Sequence, residues 1–355
     1  LAAVSPLTEE DIETSGTIAL CKYNRLMFTS PRALVRGYGW RDTLSHEFVH
    51  YYVTKKSGHT VPIWLHEGIA KFEEGRWHRR PGDTLEPPQE DLLARSLAED
   101  KLITFEQMHP SMAKLPSQKA AGLAFAQVHT VIEFLHRKKG YDGLNALIEN
   151  LEAGKTMDQA LKTVYGVTLA GLWSIWRRDL SKKGLRTFPG LVQQSLKFRR
   201  PGDPEPEEES ELEFTDIKEK RVKDFAHLGE LLRARGRHGA AAIEYRKAVA
   251  LNGDGNPMIQ NGLAASVLET GPATEVPTLL KRVSEYYPGF LRTHLNLGEA
   301  FIKLGAENKA IAAFETAIGI NPFHPGPHRA LMNLYSKTAQ VEKAARERAS
   351  LEILK

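Results

Sequence analysis

A period of 34 residues runs through the C-terminal part of the chain and leaves that part few folds to choose from. Residues 291–324 carry Leu297-Gly298, Phe301, Ala310, Phe314, Ala317 and Pro322. Residues 222–255 place Phe225, Leu228-Gly229, Leu232, Ala241, Tyr245 and Ala248 at matching intervals. The pattern is weaker over 257–290, with Leu263-Ala264, Leu280, Val283 and Pro288, and fades over 325–355 after Leu331, Tyr335 and Ala344. A unit this short buries its apolar face only by stacking on its neighbours. Four units over 217–355 therefore predict a short curved solenoid.

Upstream stands a pattern of another kind: His46-Glu47-Phe48-Val49-His50, followed by Trp64-Leu65-His66-Glu67-Gly68. Two histidines four apart share one face of a helix, where both rings can converge on one metal ion. Glu47 between them can take a proton from an attacking water, the base role in a metal hydrolase. A second helix opening at Pro62 can deliver Glu67 as an oxygen ligand. Two nitrogens, one carboxylate and an open fourth position make a catalytic rather than a structural zinc site. His66 is the rival third ligand. It points about 100° around the helix from Glu67, so both cannot face the same ion.

The first motif, together with Pro62-Ile63-Trp64-Leu65-His66-Glu67-Gly68-Ile69-Ala70, resembles the gluzincin metallopeptidases, particularly the bacterial peptidase-MA-like domains. The order Tyr141-Asp142-Gly143, Gly154-Lys155-Thr156, Tyr165-Gly166, Trp173 and Trp176 resembles the tail of those domains. The resemblance implies Zn2+ held by His46, His50 and Glu67, with Glu47 as general base. In related domains the segment resembling Ala124-Phe125-Ala126-Gln127 often carries Tyr where this chain has Phe125. His129, Tyr141 and Tyr165 are the candidates for that missing transition-state stabiliser. An extended peptide substrate would pair with an edge strand, here Arg25, Leu26, Met27, Phe28 and Thr29. The 34-residue period resembles tetratricopeptide repeats, which implies helix pairs and a protein or peptide partner. The first helices would line the concave side with His227, Arg233, Asn261, Arg292, Asn296, Arg329 and Asn333.

A chain of 355 residues is long enough for two domains. The expected division is 1–198 for a gluzincin-like peptidase domain, 199–216 for an acidic, Pro-rich linker and 217–355 for the repeats. The expected class is mainly α with a small β-sheet. Residues 17–22 and 25–29 read as a hairpin and 40–55 as the zinc helix. Further helices are expected near 89–99, 117–138, 141–152, 156–164 and 168–182. Leu44, Phe48, Tyr51 and Tyr52 are expected to give the zinc helix its buried side. A net charge of +4 argues for no nucleic-acid partner, and the single cysteine, Cys21, excludes an intrachain disulfide. No apolar run is long enough for a transmembrane segment. The chain starts at Leu1, which with the resemblance favours a processed protein exported to a bacterial periplasm. The whole reads as a zinc metallopeptidase with a repeat domain for protein binding. The alternative is a non-enzymatic, repeat-based assembly protein with a degenerate metallopeptidase domain.

Overall fold

The computed structural model describes residues 1–78, 85–199, 214, 217–252 and 255–354. Of the expected linker, all but Arg199 and Phe214 lies outside the described residues. Among the described residues the chain is mainly α with one small sheet, and it divides into two compact units. One comprises Leu1–Thr29 with Arg41–Thr187, the other Ser30–Trp40 with Phe188–Lys355.

The first unit opens with α1 (Glu9–Ser15), started by a Thr8–Asp11 capping box. Strands β1 (Ala19–Lys22) and β2 (Arg25–Phe28) follow as an antiparallel hairpin turned by Tyr23 and Asn24, both at positive φ. The long helices are α2 (Trp40–Ser57), α3 (Ile63–Glu73), α4 (Pro87–Ala98), α5 (Gln118–Glu152), α6 (Met157–Tyr165) and α7 (Leu169–Lys183). α5 kinks at Gly140 (φ 59°), as the two separate helical stretches expected there imply. Its first half is the centre of the unit. Val128, Val131, Ile132 and Leu135 are fully buried against Leu65, Ile69 and Phe72 of α3 and Trp176 of α7.

Gly68 lets α3 approach α5 this closely. A Cβ there would stand 2.7 Å from Ile132 Cγ1 and 3.1 Å from the Val128 carbonyl. Gly68→Ala should therefore force the two helices apart and cost about 1–3 kcal/mol, read as a lowered midpoint in urea unfolding.

The expected buried side of α2 is corrected by the structure. Leu44, Phe48 and Tyr52 are 40%, 58% and 55% exposed, whereas Glu47, His50, Val53 and Ser57 are buried. The apolar stripe and the polar one lie on opposite faces, so only one can turn inward. The inward face carries His46 and His50, and both imidazoles meet the Glu67 carboxylate of α3 there.

Among its described residues the second unit holds four helix pairs: α8 (Lys220–Ala234) with α9 (His238–Asn252), α10 (Pro257–Thr270) with α11 (Val276–Tyr286), α12 (Leu291–Lys303) with α13 (Glu307–Ile320), and α14 (Pro325–Lys337) with α15 (Val341–Ile353). The repeat signature has a steric origin at Gly298, where a Cβ would collide with the Phe314 ring at 2.5 Å. Several residues expected to line an open concave side are spent inside the solenoid. Asn261 donates to Thr293 Oγ1 (2.9 Å) and Asn296 to Asn261 Oδ1 (2.9 Å), all three buried between successive repeats. Arg233 pairs with buried Glu230, which also accepts from the Tyr245 hydroxyl. Arg329 and Asn333 are exposed.

Two stretches far apart in sequence form an extended ribbon in this unit. Val35 N–H donates to Lys197 O (2.9 Å) and Arg199 N–H to Ala33 O (2.8 Å), beside a Leu34–Phe198 bridge. The ribbon is tied to the turns between successive repeats. The Tyr287 hydroxyl accepts from Val192 N–H (2.7 Å), and Tyr286 Oη donates to Pro189 O (3.1 Å). Arg36 lies over the Phe290 ring and Arg32 over Phe323.

Candidate metal centre

α2 and α3 bring the predicted residues together. His46 Nε2 and His50 Nε2 stand 3.3 and 3.2 Å from one oxygen, Glu67 Oε2. The two imidazoles meet edge to face, their centroids 4.7 Å apart. His46 turns its other nitrogen to Glu74 Oε2 at 3.2 Å, and Glu74 Oε1 is held by Lys71 Nζ. Glu47 is 5% exposed, and its Oε2 has no hydrogen-bond partner among the described residues. His46, Glu47 and His50 each offer a donor atom within 4.8 Å of one another. The two Nε2 atoms also share a second neighbour, Glu67 Oε2.

That set fits a metal ion. Donors bound at about 2.0–2.1 Å around a tetrahedral centre lie about 3.3–3.4 Å from each other. The two nitrogen-to-oxygen distances and the ligand types, two imidazoles and a carboxylate, match. The electrostatics point the same way. Burial works against the charge of Glu67, but His50 and His46 outweigh it and hold the carboxyl well below its usual range. Burial likewise opposes a charged His46, yet its hydrogen bonds to Glu67 and Glu74 raise it to about 9. Burial pushes Glu47 up, only partly offset by His50 and His46. For Glu74 burial is overcome by Lys71 and His46, and the carboxyl sits at about 2.

The rival ligand stands beside the set. The His66 ring stacks on His50 at 4.5 Å and 15°, with its Nε2 3.2 Å from Thr54 Oγ1. Burial, reinforced by His50, lowers it to about 4. Phe125 is the aromatic next to His46, 6.0 Å between centroids. His129 lies one turn further along α5, buried, its ring 5.9 Å from Phe72. Tyr141 packs against His136 and under the Arg76 guanidinium. The Tyr165 hydroxyl sits where α6 meets Gly143 of α5. Phe125 thus stands beside His46, while His129, on the same helix, is close enough to Lys71 and Glu74 to feel their charges.

In the hairpin, Thr29 N–H donates to Ile18 O. With the Cys21–Leu26 and Ala19–Phe28 register, Leu26 and Phe28 turn their backbone groups away from β1. Cys21 connects this hairpin electrostatically to the site, since burial and then the charge of Glu47 raise its thiol to about 11.

Sequence reasoning gave no role to Glu74, Lys71 or Thr54. Each carried a periodic signal: Glu74 is two helical turns from Glu67, Lys71 three residues before Glu74, and Thr54 one turn after His50.

Residues 10–182 match the Peptidase MA superfamily and residues 291–324 the tetratricopeptide repeat. The chain therefore carries a Peptidase MA superfamily domain and a tetratricopeptide repeat. Among solved structures it is similar to a MamA mutant (22% identity, TM-score 0.34, 40% of this chain and 84% of that one). It is also similar to MamA AMB-1 (22%, 0.33, 40% and 78%) and MamA MSR-1 (22%, 0.33, 40% and 82%). No curated protein matches the sequence.

Proposed function

We propose that this chain is a zinc-dependent peptidase whose repeat unit binds protein. The observation that carries the reading is one carboxylate oxygen, Glu67 Oε2, within 3.2–3.3 Å of two imidazole nitrogens, next to a buried Glu47 whose Oε2 has no hydrogen-bond partner among the described residues. His46, His50 and Glu67 would hold the ion. A bound Zn2+ supplies Lewis acidity, which polarises a scissile carbonyl and acidifies water. Glu47 accepts the proton of the attacking water at Oε2 and delivers it to the departing amine. Its upward shift brings it closer to the working range of a general base that must also act as an acid. An extended substrate would pair with the outward N–H and C=O groups of Leu26 and Phe28, which holds its backbone straight for attack.

The second reading, a non-enzymatic assembly protein, is favoured by one observation: a hydroxyl-free Phe125 faces His46. A buried base beside the ligands weighs against it, since a purely structural metal site has no use for one.

Metal analysis tests the site. The purified chain should hold close to one zinc, and the His46→Ala/His50→Ala variant none. Glu67→Ala should lose most of the metal, because two histidines then remain, while His66→Ala should retain it. Zinc kept by the Glu67 variant and lost by the His66 variant would instead make this a three-histidine site.

A further inference from the structure

We propose that Glu74, clamped by Lys71, is a positioning residue that fixes the tautomer and aim of His46, and that this chain of contacts sets how tightly the site holds zinc. The proposal rests on the metal-site reading above. Glu67 lies on α3 and Glu74 caps its C-terminus with helical φ/ψ seven residues later, close to two full turns, so their side chains leave in nearly the same direction. The His46 ring spans the distance between them, Nε2 towards Glu67 (3.3 Å) and Nδ1 towards Glu74 (3.2 Å). With Nδ1–H donated to Glu74, the Nε2 lone pair is left for the ion, and the ring cannot flip without losing that bond.

Glu74 is itself held. Its Oε2 takes His46 and its Oε1 takes Lys71 Nζ, so both carboxylate oxygens are committed. The Lys71 and Glu74 side chains are 17% and 16% exposed, dry enough for this geometry to persist. The two histidines are treated unequally. His50 Nδ1 has no hydrogen-bond partner among the described residues, and its ring is placed by stacking on His66. His46 is therefore held at both ring nitrogens and His50 at one. Partners of this kind typically contribute 10- to 100-fold to metal affinity.

The test measures zinc affinity of the full chain by competition with a chromogenic chelator, together with the ¹⁵N shifts of the His46 ring. Glu74→Ala should weaken zinc binding about 10- to 100-fold and change the His46 shifts, leaving those of His50 nearly as they were. Glu74→Gln keeps an acceptor at the same distance and should lose less than Glu74→Ala. Lys71→Met should weaken binding in the same direction, and adding it to Glu74→Ala should cost nothing more, because the two act through one contact chain. If Glu74→Ala fails to fold, the Gln and Met variants decide by the same measurements. Zinc affinity within twofold of wild type in these variants, or unchanged His46 shifts, would overturn the proposal. Failure of the wild type to bind zinc would overturn the metal-site reading itself.

Discussion

Glu47→Gln is expected to lower peptide hydrolysis roughly 100- to 10,000-fold while metal content stays at the wild-type level. Gln preserves the volume and shape of the side chain in a site where Glu47 is 5% exposed, so neighbouring packing is retained. It removes the one capacity that the chemistry needs, an oxygen that can take and return a proton. His46, His50 and Glu67 keep their geometry, because their contacts do not pass through Glu47. The measurement is cleavage of an unfolded protein substrate with and without chelator, alongside metal analysis of both proteins. A fully active Gln variant, or wild-type cleavage that survives chelation, would remove the peptidase reading and leave the assembly reading in place.

The second large effect concerns the connection between residues 199 and 217. A protease site inserted after Gly202 should allow complete cutting without separation of the products on gel filtration. Sequence composition alone predicts release, because an acidic, Pro-rich run reads as a tether between independent domains. The ribbon predicts retention. Residues 30–40 and 188–199 would remain on the N-terminal product, yet both belong to the unit built on the repeats. Tyr286, Tyr287, Phe290 and Phe323 would still hold them. Separation should require denaturant. Tyr287→Phe, which deletes a hydroxyl bonded to Val192, should weaken that grip by about 1–3 kcal/mol, seen as a lower denaturant midpoint for dissociation. Two cleanly resolved peaks after cutting would show the ribbon to be incidental.

The grouping of the candidate ligands was legible in advance because it is local. His46, Glu47 and His50 are set by helical spacing, and Glu67 by a helix that Pro62 opens; a turn of helix places such groups without help from the rest of the chain. The repeats were legible for a related reason, since each unit contacts only its neighbours and shows its packing rule as a period. What stayed hidden depended on which of two competing faces turns inward. Leu44, Phe48 and Tyr52 form as good an apolar stripe as any buried one, yet they are exposed. The partners on α3 reward burial of the opposite, polar face, and no feature of α2 by itself records that. Asn261 and Asn296 look like surface ligands in sequence and become an internal ladder only once successive repeats stack. The ribbon was least legible of all. It joins residues more than 150 positions apart through backbone hydrogen bonds that any residue type can make, so only the tertiary structure could decide it.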